Sequence, residues 1–464
     1  MKKIIIPIIL MLSGYLAVSQ DKRPNILLIL SDQHAGRVMT QRGYPHINTP
    51  AFDQLAEDGV TFTRAYVSYP VCIPSRAAMI TGKMPSKSSK QTVNHKSIGK
   101  VMKENGYETA YYGKWHVGDT KMKKTEDWHG FDDYADLRGD TEIRKLSNEF
   151  LSKEHEKPFF LVTSFVNPHD CCQLARNMSG FNDEYHDGPV EENAELSKTP
   201  PLPDNFEIPP NEAEGFYVRR APDSTNRVMF RKHPVKYWGR TKWRQYMYGY
   251  NRLVEKVDRH IALMLEKLEE QGQLENTVII YTSDHGDGHA SHQWNQKMTF
   301  YEEAINVPFI ISWKGQLSSS SVIDTETLVN TGLDLFPTIT SFAGIPSQEG
   351  LLGIDLAPST FKSVTKDAKK GPVRRNYTVS EITQLNPGDS RRLVGRMVVT
   401  GRYKYFLFNR GENREQLFDL QEDPGELNPV TDDPDYVHQL VAHREMLKDW
   451  IKRSNDPFDL AFIP

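Results

Sequence analysis

Two periods of apolar and polar positions run along the chain. Pro24-Asn25-Ile26-Leu27-Leu28-Ile29-Leu30-Ser31-Asp32 is a continuous apolar run that ends in polar residues. Such a run predicts a strand buried on both faces of a parallel sheet. Glu108–Gly113, Phe159–Val166 and Val278–Thr282 predict further strands. Between them the spacing turns helical. Thr49 fits an N-cap, Pro50 the first helical position, Phe52, Leu55 and Ala56 an apolar face, and Gly59 a stop. From about Trp243 to Gln271 the apolar residues Tyr246, Tyr250, Leu253, Val254, Val257, Ile261, Met264, Leu265 and Leu268 recur at helical spacing and predict one long amphipathic helix. Strands alternating with helices predict an α/β fold with a mostly parallel sheet.

The pattern breaks twice. Residues 173–240 carry Pro200-Pro201, Pro203, Pro209-Pro210 and many charges, and predict a long irregular insertion over the sheet. After about residue 365, Val398–Leu407 predicts a hairpin and Pro434–Ser454 a closing helix. The expected organisation is therefore a large α/β domain over residues 20–365 and a small C-terminal α+β domain over 366–464. A chain of 464 residues is also longer than one hydrophobic core usually supports.

The first 19 residues stand apart. Lys2 and Lys3, the short apolar run Ile4 to Leu12 and Ala17-Val18-Ser19 read as a secretory signal peptide, too short to span a bilayer. The expectation is an exported protein, periplasmic or secreted, with no membrane span. The net charge of −4 comes with no strongly basic stretch, which excludes nucleic acid as a partner. There are three cysteines, Cys72, Cys171 and Cys172. An odd count leaves one thiol to explain in an exported chain. Cys171 and Cys172 fit either a strained vicinal disulfide or two buried thiols, and Cys72 is the odd one out.

In an open α/β sheet, ligands bind beyond the carboxyl ends of the strands. Those ends carry Asp32-Gln33, Lys114-Trp115-His116, Asn167-Pro168-His169 and Asp284-His285-Gly286-Asp287. Any one of these alone reads as a cap or turn; together they point to a metal and anion site. Asp32, Gln33 and Asp284 offer oxygen ligands suited to a hard cation such as calcium or magnesium. Cys72-Ile73-Pro74-Ser75-Arg76 places a thiol just before a helix N-terminus, where backbone N–H groups favour an anion and Arg76 reaches the same point. His46, His95, His129 and His233 read as structural. His289 and His292 fit a pocket lining or a structural role equally. Arg37 and Arg42 fit ligand contacts or plain surface.

These motifs resemble the type I sulfatases of the alkaline-phosphatase superfamily. The resemblance rests on Cys72-x-Pro74-Ser75-Arg76 with Ala77-Ala78-Met79-Ile80-Thr81-Gly82-Lys83, and on Gly113–Gly118, Asn167-Pro168-His169 and Thr282–Gly286. Lys297 before Tyr301-Glu302, and Leu417-Phe418-Asp419-Leu420 with Asp423–Glu426, match as well. It implies an alkaline-phosphatase-like fold with a large mixed, mostly parallel sheet. It also implies a formylglycine made from Cys72 by a maturation enzyme. One calcium ion would be held by Asp32, Gln33, Asp284, His285 and the modified Cys72. Arg76, Lys114 and Lys297 would hold the formylglycine and the sulfate, His116 the nucleophile side, and His169 with Lys297 the leaving group. The reaction implied is sulfate-ester hydrolysis through a covalent sulfate ester on residue 72, on a sulfated oligo- or polysaccharide. Gln33 stands where a second Asp is frequent and His285 where Asn is frequent, which lowers the ligand charge.

Two other readings share the fold: a phosphate or phosphonate ester hydrolase, and a non-catalytic carbohydrate-binding protein. The full set of cations around Cys72 weighs against the binder.

Overall fold

In a computed structural model, residues 23–89, 92–216, 234–316, 321–346, 348–357, 374–385 and 392–464 are described. The expected signal peptide, His233 and the boundary near residue 365 lie outside them. Nine strands open the chain: β1 (Asn25–Asp32), β2 (Gly59–Phe62), β3 (Ala65–Tyr66), β4 (Glu108–Gly113), β5 (Asp133–Ala135), β6 (Phe159–Pro168), β7 (Thr277–Ser283), β8 (Phe309–Ser312) and β9 (Val322–Asp324). Eight of them form one sheet in the order β5-β4-β6-β1-β7-β8-β2-β9. β8 runs antiparallel to both its neighbours, and every other pairing is parallel. The sheet is thus mixed and mostly parallel, as expected.

β1 is apolar throughout because both faces of the sheet are covered. Leu27 and Ile29 pack into a core shared with Tyr246, Tyr250, Leu253 and Val257 of the long helix Arg240–Glu270. Ile26, Leu28 and Leu30 point the other way, toward Phe336 and Ile339 of helix Thr331–Phe342. The register of β1 against β6 shifts between Leu30↔Ser164 and Asp32↔Pro168. The ladder is therefore irregular at the point where it meets the strand-end cluster, as bulges near sites commonly are.

Two local expectations fail. Thr49 precedes α1 (Pro50–Glu57) but makes no side-chain cap. Its hydroxyl instead accepts from the Thr40 N–H at 3.0 Å, a competition that tertiary contacts win. Gly59 does not end α1; Asp58 caps it. Gly59 opens β2, where a Cβ would fall 2.4 Å from the Ile311 carbonyl oxygen.

Further on, β10 (Val329–Asn330) pairs with β3. Then β11 (Thr378–Leu385), β12 (Arg392–Val399), β13 (Tyr403–Phe408) and β14 (Glu415–Asp419) form a four-stranded antiparallel sheet. The expected hairpin is β12–β13, with Val398 opposite Tyr405. The helix Val437–Ser454 closes one face through Leu440, Leu447 and Trp450. The other face meets Phe300 and Tyr301 through Phe406 and Phe408. The insertion is irregular over most of its described length, with a helix at Cys171–Asn177 and a 3-10 turn at Pro234–Tyr237.

Candidate active site

The site is built at the carboxyl ends of β1, β4, β6 and β7. Cys72 is the first residue of α2 (Cys72–Thr81), after the extended Val71, and Gly82 closes the helix at φ 65°. The cysteine is thus inside the first turn rather than just before it, where the backbone N–H groups still favour a negative group. It is buried. β4 ends at Gly113, whose φ is 115° and where a Cβ would fall 2.0 Å from the Ser164 carbonyl oxygen. Only glycine fits there. The next residue, Lys114, donates its backbone N–H to that same oxygen at 2.9 Å.

Asp32 and Asp284 anchor the charges. Lys114 Nζ lies 2.5 Å from Asp32 Oδ2, and Arg76 Nη2 lies 3.3 Å from the same oxygen. Arg76 Nε donates to Asp284 Oδ2 at 2.6 Å. Arg76 Nη1 donates to the Lys114 carbonyl and to Ser164 Oγ, both at 2.7 Å. Every fork of this buried guanidinium is therefore used, which is what a buried arginine requires. Burial alone would raise the Asp32 carboxyl. Lys114, His169, Lys297 and Arg76 overcome it and hold Asp32 well below the usual carboxylate range.

Lys297 reaches in from a later loop. Its Nζ stands 3.8 Å from Cys72 Sγ, 3.3 Å from His285 Nε2 and 3.1 Å from Gln33 Oε1. Burial would raise the Cys72 thiol, but Lys297, Lys114 and a hydrogen bond from His116 outweigh burial and hold it well below its ordinary value. His116 adopts a positive φ of 45°. His169 is driven toward its neutral form by burial first, then by Lys114 and Lys297. The Nδ1 atoms of His116 and His169 are buried without hydrogen-bond partners.

One ligand atom from each of Asp32, Cys72, Asp284 and His285 lies within 4.8 Å of the others. His285 Nδ1 meets the Gly286 carbonyl at 2.9 Å, so Nδ1 carries the proton and the Nε2 lone pair faces the cluster. Asp32 Oδ1 is buried and has no hydrogen-bond partner. Two carboxylates, one with an orphaned oxygen, fit a hard cation. The Gln33 side chain sits beside this cluster. Its Oε1 accepts from Lys297, and its Nε2 donates to Asp287 Oδ2 at 2.8 Å.

Three residues with a part in this geometry were given no role by the sequence. Asp287 accepts from Gln33 Nε2, from the backbone N–H of His289 at 2.8 Å and of Gln296 at 2.7 Å, and from Tyr246 Oη at 3.0 Å. It ties Gln33, the long helix and the loop leading to Lys297 to one carboxylate. Tyr246 was visible only as an apolar position. Ser164 was hidden in the run Phe159–Val166, where a hydroxyl amid apolar residues was the available signal.

Cys171 and Cys172 are free buried thiols, which settles the pairing left open. Cys171 Sγ lies 3.1 Å from Gln33 Nε2. His289 and His292 are buried structural residues: His289 bonds Asn251 at 3.1 Å, and His292 stacks on Tyr301 at 3.8 Å. His129 is buried among aromatic rings, His95 bonds the Lys87 carbonyl, and His46 is exposed. Among the described residues, no helix is long and apolar enough to cross a membrane.

The chain as a whole is similar to known proteins. The family model "Sulfatase" matches residues 24–345, and "N-sulphoglucosamine sulphohydrolase, C-terminal" matches residues 290–453. The chain belongs to the sulfatase family, and it is a sulfatase, a sulfuric ester hydrolase. It is 32% identical to a Delta 4,5-hexuronate-2-O-sulfatase of Bacteroides thetaiotaomicron, over 97% of this chain and 93% of that one. It is 25% identical to an N-acetylglucosamine-6-O-sulfatase of the same species, covering 94% and 88%. A solved 2-O GAG sulfatase superposes with a TM-score of 0.78 at 29% identity, covering 94% and 93%. A phosphonate monoester hydrolase of Agrobacterium radiobacter shares the fold, with a TM-score of 0.70 at 19% identity, covering 93% and 96%.

Proposed function

We propose that this sulfatase is an exported enzyme that removes sulfate from a sulfated carbohydrate, using formylglycine made from Cys72 by a maturation enzyme and one Ca²⁺ ion. The observation that carries this reading is the position of Cys72 Sγ. It stands in the first turn of a helix, within one cluster with Asp32, Asp284 and His285, and 3.8 Å from Lys297 Nζ. The sulfur marks where the oxygens of the modified residue would stand. The carbohydrate class is supported by relatives whose names specify hexuronate and N-acetylglucosamine sulfates.

Asp32, Asp284, His285 and residue 72 would hold the cation, with Gln33 offering a further oxygen at the edge. The cation would supply charge that acidifies the nucleophile and draws in the sulfate. Formylglycine would supply, as its hydrate, one hydroxyl to attack sulfur and a second to release sulfate. Arg76 would act mainly through Asp32 and Asp284, since its own donors are spent on them, on the Lys114 carbonyl and on Ser164. Lys114 and Lys297 would hold the sulfuryl oxygens by charge. Lys297 would also give a proton to the leaving oxygen, while neutral His169 offers it an N–H hydrogen bond. His116, one of the groups that lower the Cys72 thiol, would take the proton from the second hydroxyl.

Peptide mass spectrometry of residue 72, paired with sulfate release from sulfated saccharides, tests the reading. Formylglycine with released sulfate supports it. Formylglycine in a protein that cleaves phosphate or phosphonate esters and ignores sulfated saccharides overturns it.

A further inference from the structure

Beside the site lies a cavity of about 590 Å³ that contains none of the residues discussed above as sulfate or metal ligands. It opens on the same rim of the sheet. Thr63 and Arg64 follow β2, which runs parallel to β1 through the intervening β7 and β8. Three strand spacings put it roughly 14 Å from β1. Its walls continue the catalytic loops. Arg37 and Arg42 follow Asp32-Gln33 along the chain, and Glu302 and Glu303 follow Lys297. Arg37 Nη2 also donates to Ser291 Oγ at 3.0 Å, on the loop between His285 and Lys297.

Four arginines and two glutamates line this cavity, and most of them are already paired. Arg37 meets Glu303 at 2.9 Å, and Arg402 meets Asp419 at 2.6 Å. Glu302 is met from outside the cavity by the buried Lys404 at 2.8 Å, a lysine it shares with Glu426 at 2.6 Å. Arg64 and Arg42 make no ion pair at contact distance among the described residues, although Arg42 lies in the field of Glu302. Arg64 spends its guanidinium on the carbonyls of Thr400 and Gly401, which carry no net charge. Arg42 is half-buried; its side chain makes no hydrogen bond or ion pair among the described residues, and its Nη1 is buried without a partner. Burial outweighs the pull of Glu302 on this guanidinium, and a buried N–H without a hydrogen-bond acceptor is costly unless something meets it. Planar carboxylates and tetrahedral sulfates are the groups an arginine fork fits best.

We propose that this cavity is a second saccharide subsite, in which Arg42 and Arg64 hold an anionic group, carboxylate or sulfate, of a sugar unit next to the one being desulfated. This rests on the carbohydrate reading of the substrate. Isothermal titration calorimetry on the full chain carrying Cys72→Ala tests it, because the inactive chain reads binding alone. The probes are a heparin-derived tetrasaccharide, its fully desulfated form and its carboxyl-reduced form. Arg42→Gln and Arg64→Gln should each weaken binding of the parent tetrasaccharide by roughly tenfold, and both should flatten its salt dependence. Arg453→Gln, on the helix Val437–Ser454, should leave it unchanged. Affinity lost on carboxyl reduction assigns the group to a uronate, and affinity lost on desulfation assigns it to a sulfate. The double arginine variant binding as tightly as its parent overturns the subsite, as does a parent chain that binds none of the three probes. A failure of sulfate release by the wild-type enzyme bears on the activity and not on this measurement.

Discussion

Arg76 and Asp284 meet at 2.6 Å in the floor of the site, with side chains 1% and 0% exposed. Neither charge can turn to water if the other is removed. We expect Arg76→Ala to destabilise the fold by about 3–5 kcal/mol, the range for a broken buried pair. Arg76→Lys keeps the charge but loses the fork that spans Asp32, Asp284 and Ser164. It should melt lower than wild type and lose most activity. Thermal unfolding and sulfate release of both variants check this.

Asp287 touches no reacting atom and acts by position. Its removal frees Gln33 and the backbone at His289 and Gln296 together. A shift of an ångström at Lys297 is enough to cost roughly 10²-fold in rate. Asp287→Ala should therefore lower kcat by about that factor. Tyr246→Phe, which removes one of the bonds, should cost about 1 kcal/mol of stability and far less rate. Equal kcat in Asp287→Ala and wild type would refute the assignment.

Cation removal should show in stability as well as in turnover. Arg76 and Lys114 hold only the Oδ2 side of the Asp32 and Asp284 pair, and Asp32 Oδ1 stays buried without a hydrogen-bond partner unless a cation meets it. Dialysis against a chelator should lower the melting temperature, and Ca²⁺ should restore it. The gain is expected to be about 3 kcal/mol at a hundredfold excess over Kd. Asp32→Asn should lose that response to Ca²⁺.

His129 gives the stability a pH dependence. Burial first, then Lys103, lower its pKa to about 4, against Glu126 and a contact with the Met122 carbonyl. Between pH 6.5 and 4 the unfolded chain holds a proton on this ring and the folded chain does not. Stability from this group is thus complete above pH 6.5 and lost as the pH falls toward 4, up to about 3 kcal/mol. Denaturant titrations at pH 7 and pH 4.5 should show a smaller difference in His129→Gln than in wild type.

The strands were legible because β1, β4, β6 and β7 are buried on both faces, and burial leaves an apolar run. The site's strand ends followed from them. The reversed direction of β8 was not legible, since Phe309–Ser312 reads the same either way. Thr49 failed as a cap because Thr40, distant enough in sequence to escape local rules, claims its hydroxyl. Asp287 stood in plain view beside Asp284-His285, yet its partners Gln33, Tyr246 and Gln296 are assembled only by the fold. The arginines Arg42 and Arg64 show the same limit. Which surface charge lacks a counter-ion is a fact of three-dimensional pairing.

The separation of Cys72 and Lys297, 225 residues along the chain, sets a clock. At ordinary synthesis rates the second emerges roughly 10–45 s after the first. Until then the thiol lacks the lysine and the His285 strand end that bury it. If the modification proposed for Cys72 takes place during synthesis, the modifying enzyme would have that interval to find it, and a slower one would meet a closed protein.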